Sequence, residues 1–317
     1  VLAAGLSLVA AWLVLVVSGR VLGLQEGSFW SLQMVLLPIT LALAYPLLVA
    51  AVLARQQVLS VVALVLVATH VLLVAPSTGG GHRDCDGSPL RVVGANVLKT
   101  NADPEAAART LVALDADVVV MPEWTEGIDP GLTAGGMRVA YPFVYQARTA
   151  YETTTIFSRL PVSGGALLTI EKQREPRVTV EVDGVAVRIL GVHPQPPLRD
   201  QGGSWVRAVE ELGAELRAGT TVQIAAGDFN ASRDLKGFRD LLTGGVRDAH
   251  EELGQGLQTT WPVGRRYPPV FHLDHVLVKD GAAAQVGVCR VHQVTVPGSD
   301  HLAVVADLVI RRRPVVE

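Results

Sequence analysis

VQIAAGDFNAS, Val222 to Ser232, carries an apolar run straight into an acid and an amide. Asp228 and Asn230 are poor strand residues, and a fold alone does not ask for both at the end of a strand with only Phe229 between them. Positions two apart on an extended chain face the same side. The stretch therefore predicts a strand that delivers a carboxylate and an amide to one rim of a sheet while Phe229 turns inward.

Other strand-like runs flank it, each bounded by Gly, Pro or Asp. They are LRVVGAN (Leu90–Asn96), VVVMPEW (Val118–Trp124), TTTIFSRLPV (Thr153–Val162), PRVTVEVDGVAVRILGVH (Pro176–His193), LDHVLV (Leu273–Val278) and HLAVVADLVI (His301–Ile310). Asp183-Gly184 marks a hairpin turn. DPEAAARTLVALDAD reads as a helix, with Asp103 as cap, Pro104 in its first turn and Glu105 suited to its dipole. SWVRAVEELGAELRAG reads as an amphipathic helix with Val206, Val209, Leu212 and Leu216 near one face, stopped by Gly219. Asn96, Glu123, His193 and Asp228 follow strand ends, whereas Asp274, Asp300 and His301 stand at strand starts. In a mixed sheet, ends of one sense and starts of the other share a rim. Singly, each of these residues has an ordinary reading as terminator, turn former or solvated acid; jointly they predict a site.

The first 75 residues differ from the rest. Their only charged side chains are Arg20, Glu26 and Arg55. Apolar runs cover roughly Val1–Leu24, Leu32–Ala54 and Val58–Ala75, each near the ~20 residues that cross ~30 Å of hydrocarbon. Three in succession argue for three transmembrane helices rather than a signal peptide plus a buried core. The chain starts at Val1 without a methionine, which leaves room for a preceding segment. The expected organisation is a membrane anchor over 1–76, a glycine-rich tether over 77–88 and a catalytic domain over 89–317. A basic turn at Arg55 prefers the cytoplasm, which sends the domain outward from a multi-pass cell-membrane anchor. In an exported domain Cys85 and Cys289 can form a disulfide; the alternative is two unrelated thiols. Without the first 75 residues the chain holds 25 basic and 29 acidic side chains, a net of −4 and no electrostatic footprint for nucleic acid.

Together GANVL, MPEW, TIFSRLPV, REPRVTV, GVHPQPP, GDFNAS, LDHVLV and SDHLAVVADL span Leu90 to about Ile310. In this order they resemble the endonuclease/exonuclease/phosphatase superfamily, which includes apurinic endonucleases, DNase I, neutral sphingomyelinases and inositol-phosphate 5-phosphatases. The resemblance implies an α+β fold, the four-layer αββα sandwich, and a metal-dependent phosphohydrolase. By the same resemblance Glu123 is a metal ligand, with Asn96 as the amide beside the metal and Asp300 as a second ligand or metal-water contact. Hard oxygen ligands favour Mg²⁺, with Mn²⁺ as the alternative. Asp228 resembles the water-orienting base, Asn230 the amide fixing water or a phosphoryl oxygen, and His301 the imidazole on the scissile phosphate. Asp274 resembles the acid that holds His301, His193 a proton donor to the leaving group, and Arg174 a phosphate contact. A surface ion pair with Glu171 or Glu175 is the other reading of Arg174. His275 should point away into packing; His272, His70 and His82 receive no role. Thr153-Thr154-Thr155 departs from the glycine common in relatives, and no long basic insertion is present to grip duplex DNA.

Apolar runs followed by this domain also resemble the layout of VanJ-type proteins linked to teicoplanin resistance. The implied function is a membrane-anchored phosphohydrolase cleaving a phosphoester or pyrophosphate, with a lipid-linked substrate favoured over nucleic acid. The alternatives are an anchored extracellular nuclease and a non-catalytic binding module.

Overall fold

A computed structural model describes residues 2–80, 85–147, 152–198 and 202–314, so part of the expected tether, including His82, lies outside the described residues. The chain opens with helices α1 (Leu2–Leu22), α2 (Ser28–Val35), α3 (Leu37–Ala42), α4 (Ala44–Leu53) and α5 (Gln57–Val74). Among the described residues only α1 and the helical stretch Gln57–Ser77 are each long and apolar enough to cross a membrane alone. The expected second transmembrane helix is broken, with α2 bent by 63° from the Leu37–Leu53 stretch. Pro38 and Pro46 explain the breaks. Each lacks an N–H and clashes with the carbonyl four residues earlier, which disrupts the helix just before it.

Two mixed sheets follow. One contains β1 (Ser88–Gly94), β2 (Val118–Trp124), β3 (Phe143–Gln146), β4 (Thr153–Ser158), β11 (Ala284–Thr295) and β12 (Leu302–Arg312) in the order β11-β12-β1-β2-β4-β3. The other contains β5 (Val162–Ile170), β6 (Gln173–Val182), β7 (Val185–Val192), β8 (Val222–Asp228), β9 (Val246–Asp248) and β10 (Asp274–Lys279) in the order β5-β6-β7-β8-β10-β9. Among the described residues only β1–β2 and β7–β8 pair in parallel. The sheets face each other through branched side chains, with Val92, Val120 and Ile156 in one core cluster with Val178, Ile189 and Ile224. Both faces of β8 are covered, which is why it reads as a continuous apolar run rather than an alternation.

Helices close the outer faces of this α+β sandwich. On the first sheet lies α6 (Pro104–Ala113), whose Asp103 cap accepts the Ala106 N–H as its sequence predicts. Beside it are α7 (Asp129–Ala134) and α8 (Met137–Ala140). On the second lies α9 (Gly203–Ala218), whose buried stripe runs through Trp205, Val209, Leu212 and Leu216, with Val206 only half-buried. Two short helices, α10 (Lys236–Leu241) and α11 (Ala249–Glu252), complete the layer.

The sequence run Thr153–Val162 splits between sheets. Ser158 Oγ accepts the Leu160 N–H and donates to the Leu160 carbonyl, closing a turn before Pro161, which has no N–H for a ladder. Cys85 and Cys289 are joined, with Cα atoms 5.5 Å apart.

The apolar N-terminal helices dock on the domain rather than hanging from it. Leu13, Val16, Met34 and Leu37 belong to the same apolar cluster as Trp205, Phe229 and Phe238. Gln25 Oε1 accepts the Gly237 N–H at 2.7 Å, and Arg20 Nε donates to Asp234 Oδ1 at 3.5 Å. Just beyond α5 the Gly256 N–H donates to the Ser77 carbonyl at 2.9 Å. The domain-side ends of α1 and α5 are thereby fixed, and Arg55 lies at the opposite end of α5, about 27 Å away at 1.5 Å per residue.

Candidate active site

Antiparallel pairing of β8 with β10 sets Asp228 directly opposite Asp274 at one end of the second sheet. The parallel β7–β8 pair brings His193, just beyond β7, to the same end. From the first sheet the ends of β1 and β2 contribute Asn96 and Glu123, and the start of β12 contributes His301. Opposed strand senses thus gather these residues on one rim.

Their side chains meet. Asn96 Nδ2 donates to Glu123 Oε1 at 3.0 Å and to Asp228 Oδ2 at 3.1 Å, while its Oδ1 accepts the Leu98 N–H. His193 Nε2 lies 3.9 Å from both of those carboxylate oxygens. His301 Nε2 lies 3.7 Å from Asp228 Oδ2, and its Nδ1 is 2.8 Å from Asp274 Oδ2. Thr260 Oγ1 accepts the N–H groups of Leu273 and Asp274 and fixes the start of β10. A cavity of about 460 Å³ opens over Glu123, His193, Asp228, Asn230 and His301.

Local backbone geometry differs from the expected extended GDFN. β8 ends at Asp228, and Asn230 adopts a left-handed φ of 49°. Its N–H donates to Asp228 Oδ1 at 2.8 Å, and its Nδ2 donates to the Pro194 carbonyl at 3.0 Å. A turn that caps the acid, not a continued strand, therefore brings both residues to the cavity. Phe229 is fully buried as expected, edge-on to Phe238. Glu123 also has a left-handed φ, 59°, a backbone strain that clusters at functional sites.

Charge is arranged unevenly. Burial pushes the Asp228 carboxyl up, with the Asp274 charge adding to the effect and His301 and His193 opposing it. For Glu123, burial is outweighed by the Lys99 backbone N–H and the Asn96 amide, which hold it below the usual carboxylate range. For His301, burial is outweighed by Asp274 and Asp228, which raise the imidazole to about 10. Ligand atoms of Asp228, Asp274 and His301 lie within 4.8 Å of one another and could hold a metal ion, and Asp274 Oδ1 is buried without a partner. Glu123, hydrogen-bonded to Asn96, offers hard oxygen donors suited to Mg²⁺.

Other expected residues sit differently. Asp300 lines the cavity, but its Oδ2 accepts the Trp261 indole N–H at 3.0 Å. Arg174 is exposed and lines a neighbouring cavity of about 590 Å³ that shares Lys99, Glu152, His193 and Gln195 with the first. It makes no ion pair with Glu171, which engages Arg207, or with Glu175, which is buried and accepts the His193 N–H. Thr153 and Thr154 line that same second cavity.

Sequence reading missed Glu175 and Asp248. Glu175 was legible only as part of the REP motif. Asp248 occupies a short strand without a clear pattern. Its Oδ2 lies 2.5 Å from His275 Nδ1, and His275 Nε2 lies 3.0 Å from the Ala231 carbonyl, next to the catalytic turn. His275 therefore faces away from the site, as expected. His272 stacks on it, and His250 packs edge-on to His272. Burial pushes His250 down to about 4, so it is neutral in the fold and protonates on unfolding below its ordinary pKa of about 6.5. Its stability contribution is present above pH 6.5 and is lost as pH falls toward 4. His250→Leu is therefore expected to gain on the wild type by roughly 3 kcal/mol between pH 6.5 and 4. Urea unfolding of both proteins at each pH reads that difference, and a pH-independent gap would refute it.

Comparison with known proteins follows this geometry. The model of the Endonuclease/Exonuclease/phosphatase family matches residues 93–301, more than half of the chain. No curated protein matches in sequence. Among solved structures, D. rerio TDP2 complexed with a single-strand DNA product aligns with a TM-score of 0.61 at 18% identity, covering 70% of this chain and 99% of that one. A D. rerio TDP2 humanized by 14 mutations gives 0.61 at 17% identity, covering 69% and 98%. An endonuclease/exonuclease/phosphatase family protein from Leptotrichia buccalis gives 0.53 at 13%, covering 69% and 99%. At these identities the likeness concerns the fold. The family match runs from the first strand of the sandwich to the rim histidine of the last, and the chain belongs to the endonuclease/exonuclease/phosphatase family.

Proposed function

We propose that this protein is a membrane-anchored, divalent-metal-dependent phosphohydrolase that cleaves a phosphoester or pyrophosphate of a lipid-linked or membrane-proximal substrate on the outer face. The observation that carries the reading is the meeting of Asn96, Glu123, His193, Asp228 and His301 at one cavity, with gaps of 3.0–3.9 Å between them.

Glu123 and Asn96, with Asp300 at the edge, would hold Mg²⁺ or Mn²⁺. A bound ion supplies charge neutralisation at the phosphoryl oxygens. Asp228, with its carboxyl held by Asn96 and the Asn230 N–H, orients the attacking water and takes its proton. Asn230 and the His301 imidazolium stabilise the developing negative charge. Asp274 keeps His301 protonated and aimed. His193 is placed to protonate the leaving group, and Arg174 serves a phosphate farther along the second cavity. The arrangement of α1, α5 and the Arg55 turn supports an outward domain, in line with the positive-inside preference.

Net charge argues against a nuclease, since the domain brings no basic surface excess. A substrate panel separates the readings. The full chain, in detergent and in nanodiscs, is offered a lipid pyrophosphate, a phosphodiester and plasmid DNA, with Mg²⁺ or with EDTA. Phosphate release from the lipid that requires Mg²⁺ and is lost in Glu123→Ala is the expected result. Plasmid nicking with the same dependence would replace this reading by the nuclease. Metal binding without turnover of any phosphoester would leave a binding module.

A further inference from the structure

The catalytic cavity is not lined by the soluble domain alone. Leu32 and Val35 of α2 form part of its wall, together with Leu198 and Phe271. The acids and imidazoles occupy the rest of the same space. Leu32 and Leu198 are large apolar side chains left 41% and 52% exposed. The bend of α2 away from the helix that follows brings Leu32 and Val35 here, and Pro38 explains that bend.

Val35 and Phe271 also line a third cavity of about 460 Å³, whose walls include Pro38, Ile39, Leu73 and Val74 of the apolar N-terminal segment. The apolar path thus leads from the catalytic residues along α2 toward the helices that can cross a bilayer. The neighbouring cavity, which shares His193, is lined by polar side chains that include Lys172 and Arg174. A substrate with a charged end and a hydrocarbon end matches this division between polar and apolar walls.

Building on the phosphohydrolase reading, we infer that α2 is a substrate-chain subsite. The hydrocarbon chain of a phosphorylated amphiphile lies over Leu32, Val35 and Leu198 while its phosphate sits among Glu123, Asp228 and His301. The broken second apolar run is then part of the active site, and the enzyme selects for the chain as well as for the phosphate.

A homologous series of n-alkyl pyrophosphates, methyl to octyl, tests this with the full chain in phospholipid nanodiscs. The quantity read is kcat/KM of each member relative to the methyl compound. Wild type is expected to gain with each methylene, with about fourfold per carbon as the full-burial limit. Leu32→Ser and Leu198→Ser, both at partly exposed positions, are expected to flatten the series while leaving turnover of the methyl compound in place, which reports an intact fold. A flat series in the wild type would overturn the inference, as would a slope undiminished in both variants, which is the result if chains merely partition into the bilayer. No turnover of any member, octyl included, would also overturn the inference. In each of these cases the phosphohydrolase reading survives, since the substrate panel tests it separately.

Discussion

Replacing Asp228 by alanine is expected to lower turnover by about 10³-fold or more, the scale of losing a general base. The fold should survive. Asp228 is a buried acid set opposite a second acid, Asp274, and burial already pushes its carboxyl up. Such a group destabilises the fold that holds it, so Asp228→Asn, which keeps the shape, should melt no lower than wild type while being equally inactive. Circular dichroism and thermal melting check the first half, and phosphate release checks the second. The raised carboxyl adds a pH signature. Activity should rise with pH as Asp228 loses its proton, along an acid limb displaced above the ordinary carboxylate range. Near-wild-type rates in either variant would refute the base assignment.

His301→Ala is expected to cost a comparable ~10³-fold, because it removes the imidazolium from the developing charge. Asp274 acts through His301. Its carboxylate meets Nδ1 at 2.8 Å, and together with Asp228 it holds the ring at about 10 despite burial. Asp274→Asn should therefore cost less, about 10²-fold, and should let His301 lose its proton at lower pH, so that the alkaline limb of the rate profile moves down. The double variant should be no slower than His301→Ala alone, since the two residues form one unit. Additive losses would show that Asp274 acts independently.

Much of this site could be read from the chain because strand ends are sequence features. Asn96, Glu123, Asp228 and His301 each interrupt an apolar run, and once the senses of β1, β2, β8 and β12 are known the rim follows. Phe229 and the Asp103 cap were legible for equally local reasons. Residues that act from elsewhere were not. Asp248 reaches His275 across β9 and β10, a pairing with no local periodicity to announce it. Arg174 carries a familiar motif, but its exposed position on β6 gives it the neighbouring cavity. The second apolar run has the length and hydropathy of a single span, and composition hides what Pro38 and Pro46 do to it. Nor could a hydropathy reading show that Leu32 and Val35 line one cavity with Glu123 and Asp228, because that cavity joins segments far apart in the chain.

The account stands on Glu123 and its neighbours holding one divalent ion at the mouth of the sandwich. Electron paramagnetic resonance of Mn²⁺ titrated into the wild-type chain and Glu123→Gln measures this most directly. One specifically bound ion per chain, with affinity at least about tenfold weaker in Glu123→Gln, is the predicted result. No specific ion in the wild type, or equal affinity in both proteins, would contradict it.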